Sequence, residues 1–172
     1  MKRTYFLETT RIGFSIWQQE DIGLAQQLWG NAEVGRYISA TGMFSAEESM
    51  ARLQKEMRTQ ETRGMQYWPI FAREDNAFLG CAGLRPYGTE ATAAEFGVHL
   101  LPAAWGKGYA TEAGQAVMAY AFDVLAINAL FAGHHPENKS SQKMLEKLGF
   151  VYEKEEFYPP TGRMHPLYRR QK

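Results

Sequence analysis

The stretch AAEFGVHLLPAAWGKGYATEAGQAVMAYAF, Ala93 to Phe122, carries two different periodicities. Its first part alternates, so that Glu95, Gly97 and His99 share one face of an extended strand and Phe96, Val98 and Leu100 the other. Pro102 ends the strand, having no N–H to give to a ladder. From about Tyr109 the period lengthens: Ala110, Ala113, Val117, Tyr120 and Val124 step by three and four, the stripe of an amphipathic helix. Gly106 and Gly108 flank Lys107 where the two periods meet. A strand that turns into a helix leaves the first helical N–H groups without internal partners, and with the helix dipole they attract an anion. Glycines there let a phosphate come close to the backbone. Neither common nucleotide-binding loop is present: there is no GxxxxGK followed by Ser or Thr, and GxGxxG lacks its third glycine.

Working outward, INALFAG follows the helix as a second buried strand, and strand–helix–strand is a crossover that should be parallel and right-handed. Upstream, Ile12, Phe14 and Ile16 alternate in a first strand ending near Trp17. QQEDIGLAQQLWG reads as a helix. A longer one starts at Ser45, which with Glu48 fits a capping box, and stops at Gly64. QYWPIFA and FLGCAGL, around the turn EDN, make a hairpin. Downstream, a helix from Asn138 to Leu148 is closed by Gly149, and VYEKEEFYP with HPLYRR closes the chain as a second hairpin. The expected architecture is mixed α+β: a mostly antiparallel sheet with one parallel pair, flanked by about four helices, in a single domain over residues 1–172.

Composition narrows the function classes. Nineteen basic and nineteen acidic residues give zero net charge, with a pI near 6.9, so no global field draws nucleic acid or an anionic membrane. The chain is 45% hydrophobic and 22% charged, ordinary for a soluble globular protein. Cys81 is the only cysteine, which rules out an intrachain disulfide and suits a reducing cytoplasm. Neither a signal peptide nor a membrane span is expected. His134 and His135 lack the ligand spacing of a zinc site, so no metal is expected. Trp68, Tyr37, Tyr87 and Tyr158 read as core or rim residues, since no basic patch interleaves with them.

Four ordered segments together resemble the GNAT superfamily of N-acetyltransferases, and within it the RimJ/RimL-like branch. WGKGYA matches the acyl-CoA signature (Q/R)xxGx(G/A), with Trp105 in place of Gln or Arg and with Gly108 and Ala110 in the small positions. PENKSSQKMLEKLGF resembles the second signature, an Asn opening the last helix and a Lys-x-Gly-Phe ending it. ETTRIGFSIWQQED and NAEVGRYI are similar to the same branch.

That resemblance implies a splay between the central parallel strands, with acetyl-CoA in the gap. Backbone groups of Val98, His99 and Leu100 would pair with the pantetheine arm, and an N–H near Val98 would polarise the thioester carbonyl. Residues Trp105, Gly106, Lys107, Gly108, Tyr109 and Ala110 would hold the pyrophosphate, and Asn138 would reach the pantetheine or cap its helix. Glu95 is the candidate base, with His99 on the same face as a reserve. Many relatives carry a tyrosine seven residues after the helix-opening asparagine; Leu145 stands there, and Ser141 is the candidate proton donor instead. Relatives admit the acceptor near Arg36, Tyr37 and Ile38.

The expected acceptor is a primary amine, foremost the α-amine of a protein N-terminus. A lysine-like amine costs roughly 4–5 kcal/mol to deprotonate at pH 7, an α-amine only about 1. A polyamine or an aminoglycoside-type amine is the alternative, as is a silent acyl-CoA-binding module. The acidic run Glu153, Glu155 and Glu156 is interrupted by Lys154, which speaks mildly against a polycation. No nucleic-acid or membrane partner is expected, and either a monomer or a homodimer is compatible with the sequence.

Overall fold

The computed structural model describes residues 3–172. Eight strands form one sheet: β1 (Leu7–Glu8), β2 (Ile12–Phe14), β3 (Tyr67–Ala72), β4 (Phe78–Pro86), β5 (Ala93–Leu100), β6 (Ala129–Gly133), β7 (Val151–Tyr158) and β8 (Arg163–Gln171). Their order across the sheet is β1-β2-β3-β4-β5-β6-β8-β7. Every neighbouring pair is antiparallel except β5 and β6, the two strands joined by the crossover. Five helices accompany them: α1 (Ile22–Trp29), α2 (Ala32–Gly35), α3 (Ala46–Arg63), α4 (Tyr109–Asp123) and α5 (Lys139–Lys147). Short 3-10 turns precede α1 and follow Leu101.

Two elements exceed the sequence expectation. The short β1 pairs with β2, so the sheet has eight strands rather than seven. The extra helix, α2, is one turn started by Asn31, whose side-chain oxygen accepts from the N–H groups of Glu33 (2.9 Å) and Val34 (3.2 Å). Four residues are too few for a hydrophobic period to register. The first strand also ends earlier than expected, at Phe14. Trp17 still runs beside β3, but its N–H goes to the Gln66 side chain and its indole to the Tyr67 carbonyl.

Helix ends follow their local chemistry. At α3 the capping box is formed in both directions, Glu48 N–H to Ser45 Oγ at 3.1 Å and Ser45 N–H to Glu48 Oε2 at 2.7 Å. Gly64 then closes the helix at φ +67°. At α5, Asn138 Oδ1 accepts from Ser141 N–H at 3.2 Å.

The sheet is covered on both faces. One face packs Trp68, Ile70, Leu84 and Phe96 against Ala113, Val117 and Ala121 of α4 and Leu145 of α5. The other packs Tyr67 and Cys81 against Trp17, Leu28, Trp29 and Leu53 from the N-terminal helical half. Each such large apolar side chain contributes roughly 1.5–3 kcal/mol by leaving water. β5 is therefore clamped from both sides. Its position is fixed by the core, and its free edge is available for something else.

Candidate active site

That edge exists because β5 and β6 pair over only three positions, Ala93 with Ala129, Ala94 with Leu130 and Glu95 with Phe131. Beyond Glu95 the strands part. β5 continues to Leu100 alongside β4 alone, while Ala132 and Gly133 of β6 pair only with β8. A cleft of about 810 Å³ opens at the separation, walled by β5, the turn before α4, the first turns of α5, the segment after α2 and the β7–β8 hairpin.

The turn before α4 forms one end. Gly106 and Gly108 have φ of +71° and +79°, left-handed values that other L-residues reach at a cost. Gly108 is the N-cap, so no side chain caps the helix and its first N–H groups lack helical partners. A Cβ at Gly106 would meet nothing within 4 Å, and one at Gly108 would touch only the Arg11 guanidinium, at 3.4 Å. The glycines thus answer a conformational demand, and the space over the amides is open. This is a cradle a phosphate fits.

Arg11 fixes the cradle from a distance of a hundred residues in sequence. Its Nη1 donates to the Lys107 carbonyl (2.9 Å), its Nε to Glu112 (2.7 Å), and its guanidinium lies 4.4 Å from the Tyr109 ring centroid. Thr9 Oγ and the Arg11 N–H also donate to Glu112 Oε1. Burial opposes ionisation of Glu112, but these donors outweigh it and hold the carboxyl below its ordinary range. Arg11 is half-exposed, so the ion pair adds at most about 1 kcal/mol to stability. What it supplies is the shape of the turn.

At the other end of the splay, Tyr67 of β3 reaches across Gly97 and donates its hydroxyl to Glu95 Oε1 at 2.9 Å. The Tyr67 ring meets His99 edge-on, centroids 5.5 Å apart, so Glu95, Gly97 and His99 do share one face. Phe96 packs on the opposite face, 5.5 Å from Phe150. Burial pushes the Glu95 pKa up, while the Tyr67 hydrogen bond and the charges of Arg52 and Lys55 pull it down by less. Glu95 lines the cleft as a sequestered carboxylate.

His99 is engaged differently. Trp29 Nε1 donates to its Nδ1 at 3.3 Å, which assigns the ring proton to Nε2. Burial, with Arg52 adding to it, drives its pKa down to about 3. With its Nδ1 already occupied and its basicity lowered by burial, this ring is a poor proton acceptor.

Of the other residues singled out from the sequence, Val98, Leu100, Trp105, Gly106, Gly108, Tyr109, Ala110, Asn138 and Ser141 all line this cleft. Lys107 does not: it is exposed outside the wall, with its carbonyl held by Arg11. Trp105 donates its indole N–H to the Leu100 carbonyl at 2.9 Å and so pins the end of β5. Asn138 spends its side-chain oxygen on the helix cap. Of the three acidic residues of β7, only Glu156 reaches the cleft. Arg11, Tyr67 and Trp29 were missed as contributors because each meets the site through tertiary contacts alone.

A family model described as the acetyltransferase (GNAT) domain matches residues 11–151. The chain belongs to the GNAT family. As a GNAT member it is an N-acetyltransferase, in a family that takes its acetyl group from acetyl-CoA. Among curated relatives it is 29% identical over 148 residues to the uncharacterized N-acetyltransferase YoaA of Bacillus subtilis (strain 168), an alignment covering 86% of this chain and 83% of that protein. The GNAT fold is matched by the solved structure of RimL, a ribosomal L7/L12 alpha-N-protein acetyltransferase, with a TM-score of 0.82 at 17% identity, covering 100% of this chain and 99% of that one. RimL in complex with coenzyme A gives a TM-score of 0.78 at 19% identity, covering 95% of each chain. Among the described residues of this GNAT chain, no helix is long and apolar enough to cross a membrane.

Proposed function

We propose that this GNAT enzyme transfers the acetyl group of acetyl-CoA to the α-amine at the N-terminus of a protein. The observation that carries this reading is the sequestered Glu95 carboxylate, held by Tyr67 where β5 leaves β6. Acetyl-CoA supplies an activated thioester. The amides of Gly106 to Ala110 bind its pyrophosphate and the free edge of β5 aligns its pantetheine, with a Val98-region N–H donating to the thioester carbonyl. Glu95 accepts the proton that the acceptor amine must lose, directly or through one water. Its raised pKa brings it nearer to neutral pH, where a general base is most effective. As the new C–N bond forms and the C–S bond breaks, Ser141 donates a hydrogen bond to the departing sulfur. A thiol with reference pKa near 8.5 needs no stronger acid.

The α-amine is favoured over a polycation by the charges around the acceptor half of the cleft. Arg36, Arg52 and Arg85 stand there beside Glu33, Glu95 and Glu156, so acidic groups hold no surplus. The likeness to RimL, named for N-terminal acetylation, points the same way.

The test is thiol release from acetyl-CoA with N-terminal peptides, spermidine and an aminoglycoside as acceptors. Turnover with peptides is expected. Preference for spermidine or the aminoglycoside would overturn the acceptor class. Cofactor binding without turnover of any amine would overturn the enzymatic reading in favour of a silent binding module.

A further inference from the structure

Behind Glu95 lies a charge arrangement that the transfer reaction does not require. Arg52 of α3 and Arg85 of β4 both donate to a single oxygen, Glu56 Oε1, at 2.8 and 3.1 Å. Both guanidiniums stack on the same Tyr67 ring, at 5.5 and 4.2 Å from its centroid. The second oxygen of Glu56 accepts the Tyr67 N–H at 2.8 Å. Two half-buried cations therefore share one oxygen of a buried carboxylate. Neither arginine is satisfied: Arg52 Nη2 and Arg85 Nε are buried with no partner, and Nη1 of each makes no hydrogen bond among the described residues. Burying donors without partners costs free energy, and a guanidinium fork suits a carboxylate best.

Both arginines line the cleft. Arg85 is the direct cross-strand partner of Glu95. Antiparallel partners stand on one face with Cβ atoms about 4.5–5.5 Å apart. An amine positioned at Glu95 thus has a cationic, under-bonded guanidinium within a few bonds' reach. Lys55 adds to the positive field at Glu95, and Glu156 of β7, which accepts from the Tyr87 hydroxyl at 3.4 Å, also lines the cleft.

We infer that Arg85, backed by Arg52, forms an oxyanion subsite that selects acceptors carrying a carboxylate a few bonds from the amine. This rests on the proposed transfer to a primary amine and narrows its substrate class. On a protein N-terminus the carboxylate is an acidic side chain of the first residue; on a free amino acid it is the α-carboxylate. Arg85 is a specificity-determining residue here, and Arg52 positions it through Glu56.

Kinetics with paired acceptors tests this. The peptide pair is Glu-Ala-Ala-amide against Gln-Ala-Ala-amide; the small-molecule pair is L-alanine against L-alaninamide. The wild type is expected to favour the carboxylate member of one pair at least tenfold in kcat/KM, through KM. In Arg85→Gln that preference should fall to near parity because the carboxylate member loses more than the neutral one, and Arg85→Lys should restore part of it. Comparing preferences between variants cancels the difference in amine pKa within a pair. Coenzyme A binding to each variant verifies folding; should Arg85→Gln fail it, the wild-type preference and Arg85→Lys decide. A preference confined to the amino-acid pair would support the subsite and overturn the protein N-terminus as acceptor. Turnover with no carboxylate preference, or equal loss on both members in Arg85→Gln, would overturn the subsite alone. Coenzyme A binding with no turnover of any acceptor would overturn both readings.

Discussion

Tyr67 occupies the volume that any side chain at Gly97 would need. An added Cβ would overlap its hydroxyl and the adjoining ring carbons, so a glycine in the middle of β5 is what lets the phenol cross the strand to Glu95. Gly97 therefore serves the site through space rather than through its own φ.

Gly97→Ala must push the Tyr67 ring aside. We expect a loss of about 1–3 kcal/mol in stability, the usual range for overpacking, and a drop in kcat larger than the change in coenzyme A affinity. Denaturant melts and steady-state kinetics check the two parts. Wild-type kcat would show that the Tyr67–Glu95 contact is dispensable.

Tyr67→Phe removes the hydrogen bond while keeping the ring. That bond stabilises ionised Glu95, so its loss raises the carboxyl pKa further. The acid limb of the kcat/KM profile should move to higher pH, and activity at the acid end should fall most. A limb that stays in place, or moves toward acid, would remove Glu95 as the titrating base.

Gly108→Ala forces an alanine to φ +79°. A left-handed conformation costs an L-residue roughly 1–2 kcal/mol, and relief of that strain would rotate the first amides of α4. Coenzyme A affinity measured by calorimetry should fall about tenfold, with kcat at saturating acetyl-CoA affected less. Unchanged affinity would place the pyrophosphate elsewhere.

Ser141→Ala should lower kcat more than it alters acetyl-CoA affinity, since the Asn138 cap, which uses the Ser141 N–H and not its hydroxyl, survives. An unchanged kcat would exclude the hydroxyl from the transfer step.

His99 links the site to acid stability. Its folded pKa is depressed from 6.5 to about 3, so between those values the unfolded chain takes up a proton that the folded chain refuses. Stability is lost as pH falls through that window, by at most about 1.4 kcal/mol per pH unit from this group. Glu95 and Glu56, both raised by burial, run the other way, gaining stability as pH falls. His99→Gln keeps an acceptor for the Trp29 indole and leaves those carboxylates in place. The melting-temperature difference between wild type and variant should therefore shift toward the variant as pH drops from 6.5 to 4. A constant difference would mean that His99 titrates normally.

Much of this molecule was legible residue by residue. The change of period at Pro102, the glycines before Tyr109, the Ser45–Glu48 box and the Asn138 cap are local events, governed by contacts within one turn or one strand. The glycine turn before α4 could be located and Glu95, Gly97 and His99 placed on one face because backbone geometry repeats. The single-turn helix α2 and the short β1 escaped, being shorter than any period that could announce them.

What the tertiary structure alone decided is the character of the groups once placed. Whether Glu95 is solvated or buried, and whether His99 is base or scaffold, depends on Tyr67 and Trp29, which arrive from other elements. Arg11 meets Glu112, and Arg85 meets Glu56, through strand register and helix packing rather than spacing. Local sequence sets backbone dihedrals and periodicity. Burial, and with it the pKa values and pairing of charges, is a property of what comes from elsewhere to exclude the water.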